Sequence, residues 1–286
     1  MQKKRRNVFW YFLAPIVLVW VISFVMQSAA ELVYITFQNV QIDKVMENDT
    51  LLLEFMSQMT AFLNQYAAEF TTLIAICTLP FLIRMYKKDK REVPEWWDKK
   101  RMLSAREIVV VMILAICVCI AANNFILLSG ITSRNEAYLE TAELIYESPM
   151  IVQFLGLGII VPVMEEMVYR GLLYRRMREY LPMIFSLTGS ALLFGIYHGN
   201  SVQLIYATVI GVFLAYVFEI FRTVKVSVLF HIVANLTSVI CTWTGVFGWI
   251  FRNIVNVAAL TVVMCMVSAG MVMILKNDNN CYKNIK

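Results

Sequence analysis

The chain has 286 residues, 60% of them hydrophobic and 16% charged, with a mean hydropathy of +0.67. Soluble domains run to about half apolar and a quarter charged residues, so a soluble fold is excluded and an all-α, polytopic transmembrane helical bundle is indicated. The formal net charge of +5 would suit nucleic acid, but the basic residues gather in alternate connections between apolar segments, so no nucleic-acid partner is expected.

A membrane-crossing helix needs about 20 largely apolar residues. On that criterion about eight spans are predicted, near 8–30, 66–85, 107–130, 150–171, 183–199, 202–221, 226–246 and 249–275. The first follows a basic start, MQKKRR, and could be mistaken for a signal peptide. Its apolar run is long and contains Trp20, so a retained anchor is expected. Segment 31–65 carries Lys44 against Glu31, Asp43, Glu47, Asp49 and Glu54 and reads as an external connection. The stretch after the second span is rich in Lys and Arg, from Arg84 to Arg106, and reads as internal, with Trp96 and Trp97 suggesting an interfacial segment. Segment 131–150 is acidic and external. Arg175, Arg176 and Arg178, then Arg222 and Lys225, then Lys276 fall on the same side as the N-terminus. The expected location is an integral, multi-pass protein of a bacterial plasma membrane with both termini cytoplasmic. The Lys-, Asn- and Ile-rich composition is the basis for a bacterial source.

The six cysteines, Cys77, Cys117, Cys119, Cys241, Cys265 and Cys281, show no metal-ligand spacing and read as small buried hydrophobes.

The fourth apolar segment is interrupted by "VPVMEEMVYRGLLYRR". An ionisable group near mid-bilayer costs about 2.5–3.5 kcal/mol and normally faces a bundle interior or a wet cavity. Glu166 and Arg170 are four residues apart and share a helix face in the favourable order, so an ion pair is expected. Glu165 is rotated about 100° away and has no cation at helical spacing, which suits it to general base or acid work. Tyr169, four residues on, is within reach of a hydrogen bond to it. The only two histidines both fall in apolar segments: His198 closes "FGIYH", with Phe194 on its face, and His231 opens "HIVAN", with Asn235 on its face. An acid, two imidazoles and an amide brought together from three separate helices are how a site in a bundle core is assembled.

A carboxylate and an imidazole can together activate water, while an imidazole and an amide can hydrogen-bond a developing oxyanion. That set suffices for peptide hydrolysis without a covalent intermediate. The same donors could bind zinc, but no H-E-x-x-H pair is present. No cofactor is therefore expected, with zinc kept as the open alternative. Membrane lipid and a peptide or lipidated protein substrate are the expected partners, and the sequence does not bear on oligomeric state. Two other classes fit less well. A proton-coupled transporter would often show repeated halves, and none is seen. A non-catalytic immunity or peptide-binding membrane protein would not need the full set of polar residues.

Glu165-Glu166-x-x-x-Arg170, Phe194-x-x-x-His198 and His231-x-x-x-Asn235, in that order on three apolar segments, resemble the signature motifs of the CPBP family. This is also called the Abi or CAAX-protease family of intramembrane glutamic endopeptidases; "YRGLL" resembles its usual continuation. The resemblance covers about 150–240. It implies a bundle of about eight spans with a cavity open to the cytoplasmic side, in which Glu165 works with His198 to activate water. His231 and Asn235 would stabilise the oxyanion, with Glu166 and Arg170, beside Tyr169 and Phe194, in support. It further implies an organisation of N-terminal helices and loops over 1–149, a catalytic core over 150–245, and a last span and cytoplasmic tail over 246–286. Family members trim CAAX tails or, in bacteria, resemble factors of peptide maturation, bacteriocin self-immunity and secretion; older descriptions call them metalloproteases. One geometric conflict stands: simple counting puts Glu165 and His231 near one membrane face and His198 near the other, a mismatch of roughly 15 Å.

Overall fold

A computed structural model describes residues 7–91, 103–132 and 135–284, with side chains to residue 278. The basic N-terminus, Trp96, Trp97 and the Cys281 side chain lie outside the described residues. The described chain is helical, without strands. Its twelve helices are α1 Val8–Phe37, α2 Ile42–Met46, α3 Asp49–Gln65, α4 Ala67–Arg91, α5 Ala105–Ser129, α6 Glu136–Glu147, α7 Val152–Arg178, α8 Met183–Tyr197, α9 Ser201–Phe221, α10 Val224–Trp243, α11 Val246–Ile250 and α12 Ile254–Asn284. Seven of them, α1, α4, α5, α7, α9, α10 and α12, are long and apolar enough to cross a membrane, and α8 is a shorter apolar helix. The protein is an integral, multi-pass membrane protein.

The ends of these helices follow local chemistry. Ser104 and Glu107 form a capping box that starts α5, and Gly130, at φ 67°, ends it in the left-handed region. Asn48, Asn135 and Asn200 turn their side chains onto the free amides that open α3, α6 and α9. Because α-helices leave their first amides unpaired, each of these residues fixes where a helix begins.

Helix α7 is the centre of the bundle. From Val161 to Met177 nearly every residue is buried, whereas α1 and α12 show most of their apolar surface outward, as lipid-facing helices do. It is flanked by α1, α4, α8, α9 and α10, while α5 packs behind α10 and α9 and carries α12 on its outer side. Two stretches of α7, Val152–Ile160 and Met167–Tyr174, are wound as π-helix on either side of an α-helical Val161–Glu166. Such widened turns occur mostly as short insertions in α-helices, frequently at functional sites.

Several expected boundaries move. The span expected over 150–171 continues to Arg178, so Glu165 stands thirteen residues from either end of α7 rather than near one face. The span expected over 183–199 ends at Tyr197 after 15 residues. At 1.5 Å per residue that is about 22 Å, short of the roughly 30 Å hydrocarbon layer, and His198 at its end contacts the same Phe194 ring as His231. The depth conflict between Glu165 and His198 disappears. The segment expected to begin at Trp249 is broken: Trp249 belongs to α11, and α12 starts at Ile254. Segments 31–65 and 131–150 are not bare connections but hold α3 and α6. Cys117 and Cys119 are buried as expected, whereas Cys77 and Cys265 are exposed.

Candidate active site

Four charged or ionisable side chains meet where α7 and α10 cross. Arg170 Nη1 donates to Glu166 Oε1 at 2.7 Å, and both side chains are fully buried. His231 Nδ1 lies 3.0 Å from the same oxygen, and its Nε2 lies 3.7 Å from Glu165 Oε2. One imidazole thus bridges the two adjacent glutamates. The i,i+4 spacing of Glu166 and Arg170 places their pair on one face of α7, while the 100° step between adjacent residues lets Glu165 approach the other ring nitrogen. Removing either partner of a buried ion pair typically costs about 3–5 kcal/mol, because it strands a charge.

The guanidinium is held by more than its acid. Arg170 Nη2 donates to the backbone oxygen of Gly211 on α9 at 3.0 Å, and the Arg170 Cζ lies 4.6 Å from the centre of the Phe194 ring. A Cβ added at Gly211 would stand 3.2 Å from Nη2 and 3.1 Å from the Ala191 Cα, so a glycine is needed for α8, α9 and the guanidinium to meet this closely. The carbonyl of Gly211 is a partner that the sequence did not announce, since no side chain marks it.

Phe194, 2% exposed, organises the aromatic side of the cluster. Its ring stands edge-on to Tyr169 at 5.1 Å, to His198 at 4.8 Å and to His231 at 5.6 Å. His198 is the residue that closes α8; its Nδ1 is 2.8 Å from the Phe194 backbone oxygen, and the ring is half-buried. That bond to a carbonyl makes Nδ1 the protonated nitrogen of the neutral ring and leaves Nε2 an acceptor. His198 therefore reaches the neighbourhood of His231 through Phe194. Tyr169, expected to bond Glu165, instead makes ring contacts with Phe194 and with Tyr197 at 6.1 Å, and no hydrogen bond joins it to Glu165. Asn235, one turn beyond His231, donates from Nδ2 to the Leu157 backbone oxygen on α7 at 3.1 Å. It ties α10 to α7 and keeps its second amide hydrogen unused.

Two further acids, Asp89 buried and Glu219 partly buried, anchor the basic end of α7. Arg176 pairs with Asp89 of α4 at 2.6 Å and also donates to the Tyr11 carbonyl. Glu219 of α9 accepts from Tyr174 at 2.8 Å and from Arg178 at 3.1 Å. Their signal in the sequence was faint: Asp89 is a lone acid in a basic run, and Glu219 a lone acid in an apolar helix.

The donor chemistry does not assemble a metal site. Glu166 Oε1 is engaged by Arg170 and His231, and each ring nitrogen of His231 faces a carboxylate. Among the described residues no group of three or more His, Cys, Asp or Glu side chains is arranged to hold an ion.

Residues 147–237, which contain all of these α7, α8 and α10 side chains, match the family model described as Type II CAAX prenyl endopeptidase Rce1-like. Over that stretch the chain resembles a CPBP-family domain, and the match supports an intramembrane CAAX-type endopeptidase. No curated protein and no solved structure matches the chain.

Proposed function

We propose that the protein is an intramembrane glutamic endopeptidase in which Glu165 activates the attacking water. The observation that carries this reading is the pair of contacts from one buried imidazole, His231, to Glu165 at 3.7 Å and to Glu166 at 3.0 Å. With a proton on each ring nitrogen His231 donates through Nδ1 to Glu166 Oε1 and presents Nε2–H at the reacting centre.

The steps follow from these roles. Glu165, with His198 orienting the water through the free Nε2, takes a proton as the water oxygen adds to the peptide carbonyl. The oxyanion accepts from His231 Nε2–H and from the unused Asn235 amide hydrogen. Glu165 then passes its proton to the departing amine, and the C–N bond breaks. Glu166 and Arg170 position His231, and Phe194 and Tyr169 hold the two imidazoles and the guanidinium in place. No metal enters any step.

The basic ends of α4 and α7 face the cytoplasm under the positive-inside bias, which puts both termini there. The catalytic unit is 150–245, with 1–149 and 246–286 supplying flanking helices. The substrate is a membrane-associated peptide or lipidated protein, and the biological role is peptide maturation or bacteriocin self-immunity. The test is cleavage by purified protein in lipid nanodiscs, with Glu165→Ala, His198→Ala and His231→Ala each abolishing it while membrane insertion persists. Comparison of the peptides in cells carrying the wild-type chain or Glu165→Ala identifies the precursor that accumulates. Undiminished cleavage by the purified Glu165→Ala protein would end the assignment.

A further inference from the structure

At its basic end, helix α4 has two faces of different chemistry. Leu82, Tyr86 and Asp89 face the bundle: Leu82 and Asp89 are buried, Asp89 pairs with Arg176, and the Tyr86 ring lies 5.4 Å from the guanidinium carbon of Arg175. On the opposite face Arg84, Lys87, Lys88 and Arg91 are all exposed, and among the described residues no acid pairs with any of them. Their spacing, i, i+3, i+4 and i+7, gathers four cations within about 100° of the helix circumference and about 10 Å of its length. The positive-inside bias accounts for basic residues at this membrane face but not for the side of the helix they occupy. Four of the five Lys and Arg residues between 84 and 91 share this one stripe.

Toward the membrane interior the stripe continues with apolar residues, Leu73, Ile76 and Pro80, which are also exposed. A groove of about 560 Å³ joins the two chemistries, lined by Pro80, Ile83, Arg84, Lys87, Lys88 and Arg91. Long basic side chains at a helix end carry their charges to headgroup level while their stems stay along apolar surface. The four like charges repel one another, and an anion among them relieves that repulsion. A soluble anion would meet the cations and leave the apolar length of the groove uncovered. A phospholipid covers both, because its chain and its phosphate stand in the same order as the residues of the stripe.

We propose that this outer face of α4 binds a phospholipid with a net-negative headgroup, its phosphate among Arg84, Lys87, Lys88 and Arg91 and its chain along Pro80, Ile76 and Leu73. The site does not depend on the peptidase reading. Because the other face of the same turns holds Arg175 and Arg176 of α7, the lipid also steadies α4 against the helix that carries Glu165 and Glu166.

The test uses the full protein in nanodiscs of phosphatidylglycerol and phosphatidylcholine in equal amounts, with native mass spectrometry to count the lipids retained. The wild-type protein is expected to favour phosphatidylglycerol at least tenfold. R84Q/K88Q should lose most of that preference, since each Lys or Arg beside an anionic lipid surface contributes about fivefold. K225Q/K276Q removes the same charge from exposed positions outside the groove and should keep the preference, as should R84K/R91K, which preserves every charge. No preference in the wild-type protein, or one that survives in R84Q/K87Q/K88Q/R91Q, overturns the site. An equal loss in K225Q/K276Q assigns the attraction to net charge alone and also overturns it. Displacement of the retained lipid by excess inorganic phosphate at constant ionic strength assigns the groove to a soluble anion, with the same consequence. Thermal unfolding checks the second part: the wild-type protein should unfold at a higher temperature in phosphatidylglycerol than in phosphatidylcholine, and R84Q/K88Q should not. A lipid preference without that difference supports the site and overturns its effect on α4.

Discussion

Tyr169 and Phe194 stand edge-on with their ring centres 5.1 Å apart, and this contact sets the register between α7 and α8. The two helices run antiparallel around the turn at 179–182. Glu165 lies four residues before Tyr169, and His198 four residues after Phe194, so both are about one helical turn further from that turn and fall at the same level. The aromatic pair therefore decides whether the acid and the imidazole can share a water.

Phe194→Leu is expected to separate packing from alignment. Leucine keeps the position apolar and should cost about 1–2 kcal/mol in stability, against about 3–5 kcal/mol for Phe194→Ala. It removes the flat edge that supports His198 and His231, so the cleavage rate should fall by at least tenfold. Thermal unfolding in detergent and initial cleavage rates, measured on the same preparations, check this. Equal losses in Phe194→Leu and in a leucine-to-alanine change at a distant core position such as Leu114 would deny Phe194 any special alignment role.

The buried ion pair makes a prediction about coupling. Glu166→Gln leaves the Arg170 guanidinium without its charge partner, and Arg170→Met strands the Glu166 carboxylate; each should destabilise by about 3–5 kcal/mol. The double variant removes both charges and should be clearly more stable than the sum of the two losses, with a coupling of about 1–3 kcal/mol. Its cleavage activity should stay low, because His231 Nδ1 has lost the Glu166 carboxylate that orients it. Additive losses in a double-mutant cycle of unfolding would show that the 2.7 Å contact contributes nothing of its own.

How much of this could be read from the residues alone varied with range. The Glu166–Arg170 pair was legible because its partners are four apart on one helix, so local geometry settles it. The fold class was legible because mid-membrane backbone must be helical when no water is available to satisfy it. The length of α8 was not, since Tyr197, His198 and Gly199 continue an apolar run while the turn that ends the helix depends on Asn200 starting α9. The π-helical turns of α7 have no compositional mark, and they lie on both sides of the Glu165–Glu166 pair. Nor could spacing reveal that Tyr169 prefers the edge of Phe194 to the carboxyl of Glu165, because that choice is made by a helix 25 residues further along the chain.

Gly211→Ala probes the backbone contact made to the Arg170 guanidinium. The new methyl would stand 3.2 Å from Arg170 Nη2 and 3.1 Å from Ala191 Cα, closer than ordinary packing. Overpacking of this kind costs about 1–3 kcal/mol, and part of it should appear as displacement of the guanidinium from the Gly211 carbonyl. Cleavage is expected to fall with the unfolding temperature, and pairing the change with Ala191→Gly should recover both by making room on the α8 side. Recovery of stability without activity would place the damage at Arg170 itself.

Metal dependence is decided by the donors around His231. Its Nδ1 is 3.0 Å from Glu166 and its Nε2 is 3.7 Å from Glu165, and Arg170 pairs with Glu166 Oε1. A structural or catalytic zinc requires three or four protein donors turned to one point, and no such group of His, Cys, Asp or Glu is arranged among the described residues. Cleavage in nanodiscs is therefore expected to be unchanged after prolonged treatment with 1,10-phenanthroline and with EDTA, and elemental analysis of the active protein should find less than stoichiometric zinc. Inhibition by both chelators that is reversed by added zinc would overturn the water-and-carboxylate mechanism. In that case Glu166→Gln, which frees an oxygen-bearing side chain from its charge pairing, should weaken zinc retention; in the metal-free mechanism the same variant loses activity with no change in metal content.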